Sequence, residues 1–94
     1  MLFNVVGTIH SHLSQEQRLQ GFARRAEWKY PTGLNVTHEI WRSAAPELVA
    51  TFESESYEPI MAMQLHWQDF FQLNISPATT PEQGLQIAGK LMKK

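Results

Sequence analysis

The sequence predicts an α+β domain: a four-stranded antiparallel sheet with helices on one face and one more helix at the C-terminal end. Three observations carry this. Period-two and helical spacings alternate in the order β-α-β-β-α-β-α. Two capping boxes, Ser14-x-x-Gln17 and Thr80-x-x-Gln83, mark the starts of the first and last helices. Residues 60–77, IMAMQLHWQDFFQLNISP, read as a helix that feeds with almost no loop into a strand ending at Pro77.

The 94 residues make one domain, since half that length could not bury a second core. An apolar fraction of 43% with 11% aromatics excludes a disordered chain. A formal charge of −1 leaves no electrostatic footprint for nucleic acid or an anionic membrane, and Arg24-Arg25 and Lys93-Lys94 are too few to neutralise a run of phosphates. Without cysteine there are no disulfides or thiolate metal sites. The opening MLFNVVGTIH lacks the basic region and cleavage site of a signal peptide, and no apolar run is long enough to span a bilayer, so a cytoplasmic location is the expectation.

Along the chain, residues 2–10 form a strand with Phe3, Val5, Gly7 and Ile9 on one face and Leu2, Asn4, Val6, Thr8 and His10 on the other. Enough of both faces is apolar to predict burial on both sides, with Gly7 admitting close approach of a neighbour. A helix from Ser14 to Tyr30 at the latest carries a stripe of Leu19, Phe22, Ala23, Ala26 and Tyr30. Trp28 lies off that stripe, packed by a loop or exposed. Pro31-Thr32-Gly33 turns the chain. Residues 34–42 alternate, Leu34, Val36, His38 and Ile40 against Asn35, Thr37, Glu39 and Trp41, and residues 47–53 form the other arm of a hairpin. Ser54 or Ser56 is expected to cap the second helix, whose first turn must hold Pro59. Its inner face reads Ile60, Met63, Gln64, Trp67, Phe70 and Phe71, with Met61 and Leu65 flanking it, Asp69 opposite and His66 at the margin. The last helix runs to about Lys94, with Lys90, Lys93 and Lys94 at its negative end.

This order is the ferredoxin-like split βαβ plan plus an extra C-terminal helix. The sheet face away from the helices still carries apolar residues, and a second copy of the same sheet is the expected cover. The opening MLF strand, the Pro31-Thr32-Gly33-Leu34 turn, the acidic corner with Pro59 and the run Trp67-x-Asp69-Phe70-Phe71-x-Leu73-x-Ile75-x-Pro77 resemble the dimeric α+β-barrel superfamily. Within it they are most similar to a family of small bacterial proteins called domain of unknown function 3303. The resemblance implies a homodimer through sheet faces, with one cleft per subunit between sheet and helices. Relatives in the superfamily include cofactor-free monooxygenases, haem-degrading enzymes and lactone isomerases. The first two often place an asparagine on the first strand facing the cleft; here Asn4 lies on the less apolar face and does not match it.

The candidate pocket residues are Gln64, Trp67, Met63, His66, His38 and Trp41. Trp67 either stacks on a planar ligand or anchors the core. Gln64 interrupts an apolar face, where its amide needs a partner from protein, water or ligand. His66 and His38 are either acid–base groups or rim and edge residues. Trp41, with Arg42, suits an interface equally well. His10 and His12 form an H-x-H pair, but spacing supplies no third ligand, so no metal is expected. No Gly-rich phosphate loop, G-x-S-x-G, H-E-x-x-H or cysteine nucleophile occurs, and no cofactor is called for. Two functions remain. One is a small-molecule-binding protein or cofactor-free enzyme with an apolar, aromatic ligand between sheet and helices. The other is a non-catalytic dimeric structural or interaction module with a filled cleft.

Overall fold

The computed structural model describes residues 1–93. Its elements are β1 (Leu2–Ile9), α1 (Gln15–Glu27), β2 (Asn35–Trp41), β3 (Leu48–Glu53), α2 (Glu58–Trp67), β4 (Phe71–Ala78) and α3 (Pro81–Met92). The four strands form one antiparallel sheet in the order β2-β3-β1-β4, the ferredoxin-like arrangement with an added helix. Lys94, expected at the negative end of α3, lies outside the described residues.

The core lies between the sheet and the first two helices. Phe3, Val5 and Ile9 of β1 and Ala50 and Phe52 of β3 face Ile60, Met63 and Trp67 of α2, with Leu34 and Phe70 closing the ends. β1 is buried on this face alone; its other residues are half-buried, so the expectation of two buried faces does not hold for the single chain. Gly7 admits Leu73, Phe71 and Leu48, each of which would lie 3.2–3.3 Å from an added Cβ.

Both capping boxes form as expected, at Ser14 and Thr80. The second helix starts differently. Tyr57 is its N-cap and offers no side-chain cap. Ser54 is buried, and its hydroxyl instead donates to the Ser56 carbonyl at 2.7 Å, tightening the turn before the helix. β4 runs through Pro77 to Ala78 rather than stopping at the proline. It is an edge strand, where a missing ladder donor can be tolerated.

The largest departure is the rotation of α1. The expected stripe is split: Leu19 is 60% exposed, and Ala23 and Ala26 are exposed as well, while Phe22 and Tyr30 turn toward the sheet. Gly21 is the buried residue of this helix, with Arg18, Arg24 and Arg25 half-buried around it. The cause is the Phe70 ring, which occupies the space beside Gly21; a Cβ there would lie 2.1 Å from the ring. Close approach at Gly21 and stacking of arginines on aromatic rings outweigh burial of small alanines. The helix stops at Glu27, and Trp28 turns extended with ψ 142°.

This packing gives opposite signs to two glycine substitutions. Gly21→Ala should destabilise the fold by about 1–2 kcal/mol, because overpacking outweighs the gain in helix propensity. Gly89→Ala in α3, where nothing lies within 4 Å of the added Cβ, should stabilise by about 0.5–1 kcal/mol. Urea unfolding midpoints of the two variants check both signs.

Candidate functional site

Between the sheet and the helices lies a cavity of about 140 Å³. Val5, Ile9, Phe52 and Leu73 floor it, and Met63, Trp67 and Phe70 roof it, with Phe71 on the same lining. Phe22, Trp28, Tyr30 and Trp41 complete an aromatic wall. The rings meet mostly at tilted or edge-to-face angles: Trp28 is T-shaped to Tyr30 at 4.5 Å and to Trp67 at 5.6 Å, and Phe22 approaches Trp41 at 6.0 Å. Such geometries suit the ring quadrupole.

One wall is polar, and a β-bulge creates it. The β2–β3 register shifts between Val36 and His38, so that Val36 opposes Phe52, His38 opposes Thr51 and Glu39 opposes Ala50. Thr37 also reaches Thr51, donating to its carbonyl at 3.1 Å. The extra residue switches the alternation. Glu39 and Trp41 join Val36 on the helix-covered face, while His38 and Ile40 pass to the opposite one. The uniform alternation expected for residues 34–42 is thereby corrected.

Glu39 is the centre of this wall. Its Oε1 accepts from the Tyr30 hydroxyl and from Arg25 Nη2 at 3.0 Å; its Oε2 accepts from Trp41 Nε1 at 2.7 Å and from the same Nη2 at 3.1 Å. Three donor groups make four contacts, two on each oxygen, with the roughly four lone-pair positions of a carboxylate. The Arg25 guanidinium carbon also lies 5.7, 5.4 and 6.0 Å from the ring centroids of Trp28, Tyr30 and Trp41. Burial alone would raise the Glu39 carboxyl, but the Tyr30 and Trp41 hydrogen bonds and the Arg25 charge outweigh it and hold the group below its ordinary range. Burial, then the Glu39 hydrogen bond and charge, push the Tyr30 phenol well above its usual value, so it remains a donor.

A second arginine braces the roof. Arg24 stacks 4.3 Å above Trp67 and makes a bidentate pair with Asp69 at 3.0 and 3.1 Å. Its Nε is buried without a hydrogen-bond partner. The Arg24 hydrogen bonds lower the Asp69 carboxyl against a smaller desolvation effect.

Of the residues singled out in the sequence, Trp67, Met63 and Trp41 line the cavity. Gln64 lies instead on a shallow groove with Tyr57, whose hydroxyl donates to it at 3.3 Å, so its polarity is met outside the cavity. His66 is exposed and stacks on Trp28 at 5.6 Å. His38 is on the far sheet face. His10 bonds the Gln68 carbonyl at 2.9 Å and stacks on His12; among the described residues no cluster of three or more potential metal ligands occurs. Sequence reasoning missed Arg25, Trp28, Tyr30 and Glu39. Trp28 and Tyr30 carried a signal, as aromatic residues flanking the end of a helix just before a proline turn.

Glu39 makes the fold acid-sensitive in a defined direction. A carboxyl depressed in the folded state contributes stability above its ordinary value of 4.5 and loses it as pH falls through the lower folded value. Glu39→Gln should therefore flatten the acid limb of a stability–pH curve, and Tyr30→Phe should cost about 1–2 kcal/mol at neutral pH by removing one donor to a charge. Urea midpoints across pH 2.5–7, an interval of roughly the carboxylate range, check both.

No helix among the described residues is long and apolar enough to cross a membrane. No curated protein and no solved structure matches the chain. The model of one family, described as a domain of unknown function (DUF3303), matches residues 1–92, so the chain belongs to that family.

Proposed function

We propose that the protein binds a small apolar, aromatic molecule in the cavity between sheet and helices, and that it does so as a homodimer joined through its sheets. The observation that carries the ligand reading is the aromatic cavity itself. Its volume of about 140 Å³ matches the ~150 Å³ of an apolar cavity that accepts benzene, so the occupant is one ring in size rather than drug-sized. Cofactor-free turnover of that ligand needs an acid or base with unused capacity. Glu39 and Tyr30 hold each other in their unreactive forms, which favours binding over catalysis.

Two features support the dimer. Ile40, Val49 and Val6 form a cross-strand apolar row on the uncovered sheet face. No residue of α3 is buried, and Leu85 is 73% and Leu91 62% exposed. The radius of gyration, 15.7 Å, exceeds the roughly 12 Å of a compact chain this long. A second copy would cover the row and the helix together.

A second reading, a non-catalytic dimeric module, is favoured by the modest cavity and by the position of Gln64 outside it. Toluene separates the two. Saturable shifts of the Trp28, Trp41 and Trp67 indole N–H resonances, abolished in a cavity-filling Met63→Trp variant, are expected for the binding protein. A wild-type spectrum unmoved by toluene would leave the module.

The dimer has its own measurement. Light scattering at micromolar concentration should give twice the chain mass, and a Leu85→Glu/Leu91→Glu variant should shift toward the monomer. A stable wild-type monomer would end the dimer proposal.

A further inference from the structure

The polar wall of the cavity has an unequal inventory. Glu39 has two contacts on each oxygen, made by three donor groups, so it has little left to accept from a ligand. The Tyr30 hydrogen and the Trp41 indole hydrogen are both committed to Glu39. Arg25 is different. Both Glu39 contacts use its Nη2, and among the described residues its Nε and Nη1 bond no protein group. Its side chain is 30% exposed and lies on the cavity lining. The spare capacity beside the aromatic rings is therefore hydrogen-bond donation.

Charge narrows the ligand further. Arg25 and Arg42 on the lining are matched by Glu39 and Glu47. Glu47 accepts the Ile9 amide at 3.1 Å, and Arg42 bonds the Pro46 carbonyl weakly at 3.4 Å. An anion entering here would lose its hydration and meet the Glu39 carboxylate without a surplus cation to offset either effect.

Resting on the binding reading above, we infer that the cavity selects a neutral single-ring aromatic carbonyl compound. The ring takes the space between Trp67, Phe52 and Phe70, and the carbonyl oxygen accepts from Arg25. Size comes from the cavity, neutrality from the balanced charges, and acceptor character from the free guanidinium donors. The preference costs no reorganisation, because Glu39 and three aromatic rings already hold the guanidinium in place.

Four single-ring probes test this on the intact protein: acetophenone, ethylbenzene, aniline and benzoate. Dissociation constants come from indole N–H shifts at neutral pH. Acetophenone should bind at least about tenfold more tightly than each of the other three, as expected for a charge-assisted hydrogen bond. Equal binding of ethylbenzene would overturn the carbonyl inference while leaving an aromatic cavity. Tighter aniline would show that Glu47 or another acceptor governs selection, and tighter benzoate would show an anion site; either overturns the inference. Binding of none of the four would overturn the inference and the binding reading together. In an Arg25→Met/Glu39→Gln variant, which removes both charges at once, the acetophenone advantage should collapse to within about twofold while ethylbenzene still binds. An advantage that survives in the folded variant would overturn the role of Arg25.

Discussion

A carboxylate placed on the covered face of an edge strand must have its lone pairs met, or the strand will not stay there. Glu39 satisfies that demand with partners from three stretches of chain: Arg25 in α1, Tyr30 beyond its end, and Trp41 on its own strand. The interaction decides more than its own site. It draws Arg25 inward, turns the chain after Glu27 so that Tyr30 can reach, and sets Trp41 upright against Phe22. An isolated buried pair often gains little over apolar packing. Here the guanidinium also lies against three rings, so the polar cluster and the aromatic wall support each other.

The arginine face of α1 follows from the same arrangement. A helix with Leu19, Ala23 and Ala26 in register would ordinarily bury them. Two of those side chains are small, whereas stacking Arg24 on Trp67 and Arg25 near Trp28, Tyr30 and Trp41 covers long aliphatic stems and large rings. The Phe70 ring against Gly21 brings the helix close enough for both contacts. Apolar periodicity identified the helix and its start correctly, and it placed Phe22 and Tyr30 on the inner side, but it missed the arginines that share that side. The periodic signal counts methyl groups and does not count arginine on tryptophan.

The same limit explains which parts of the site were legible. Trp67 and Met63 lie on a helix whose inner face is conventionally apolar, and both line the cavity. Gln64 stood out as a polar interruption, but it sits at the edge of that face and lies on the groove beside Tyr57. His38 and Glu39 changed places because of one extra residue. A bulge leaves no mark in a run such as LNVTHEIWR, whose alternation is consistent throughout. Strand existence and order could be read from spacing; the register of side chains past residue 36 depended on a pairing partner that spacing does not contain.

That bulge also links the two faces of the sheet. Without it, His38 and Ile40 would point toward the helices, and Glu39 and Trp41 would point away. The polar cluster would lose its centre, and the outer row would lose Ile40 in exchange for a charge. With it, β2 presents Glu39 and Trp41 to the cavity and Ile40 beside Val49 and Val6 to the other side. Slipping β2 by one residue would thus be penalised twice, by an unpaired carboxylate and by lost apolar contact. Under the proposed dimer the second penalty includes the partner's sheet, so association and the geometry of the cavity wall would be held by the same strand register. An edge strand is ordinarily the least constrained part of a sheet. Here it carries the acceptor on which the cavity's polar wall depends, and both of its faces have a reason to keep it in place.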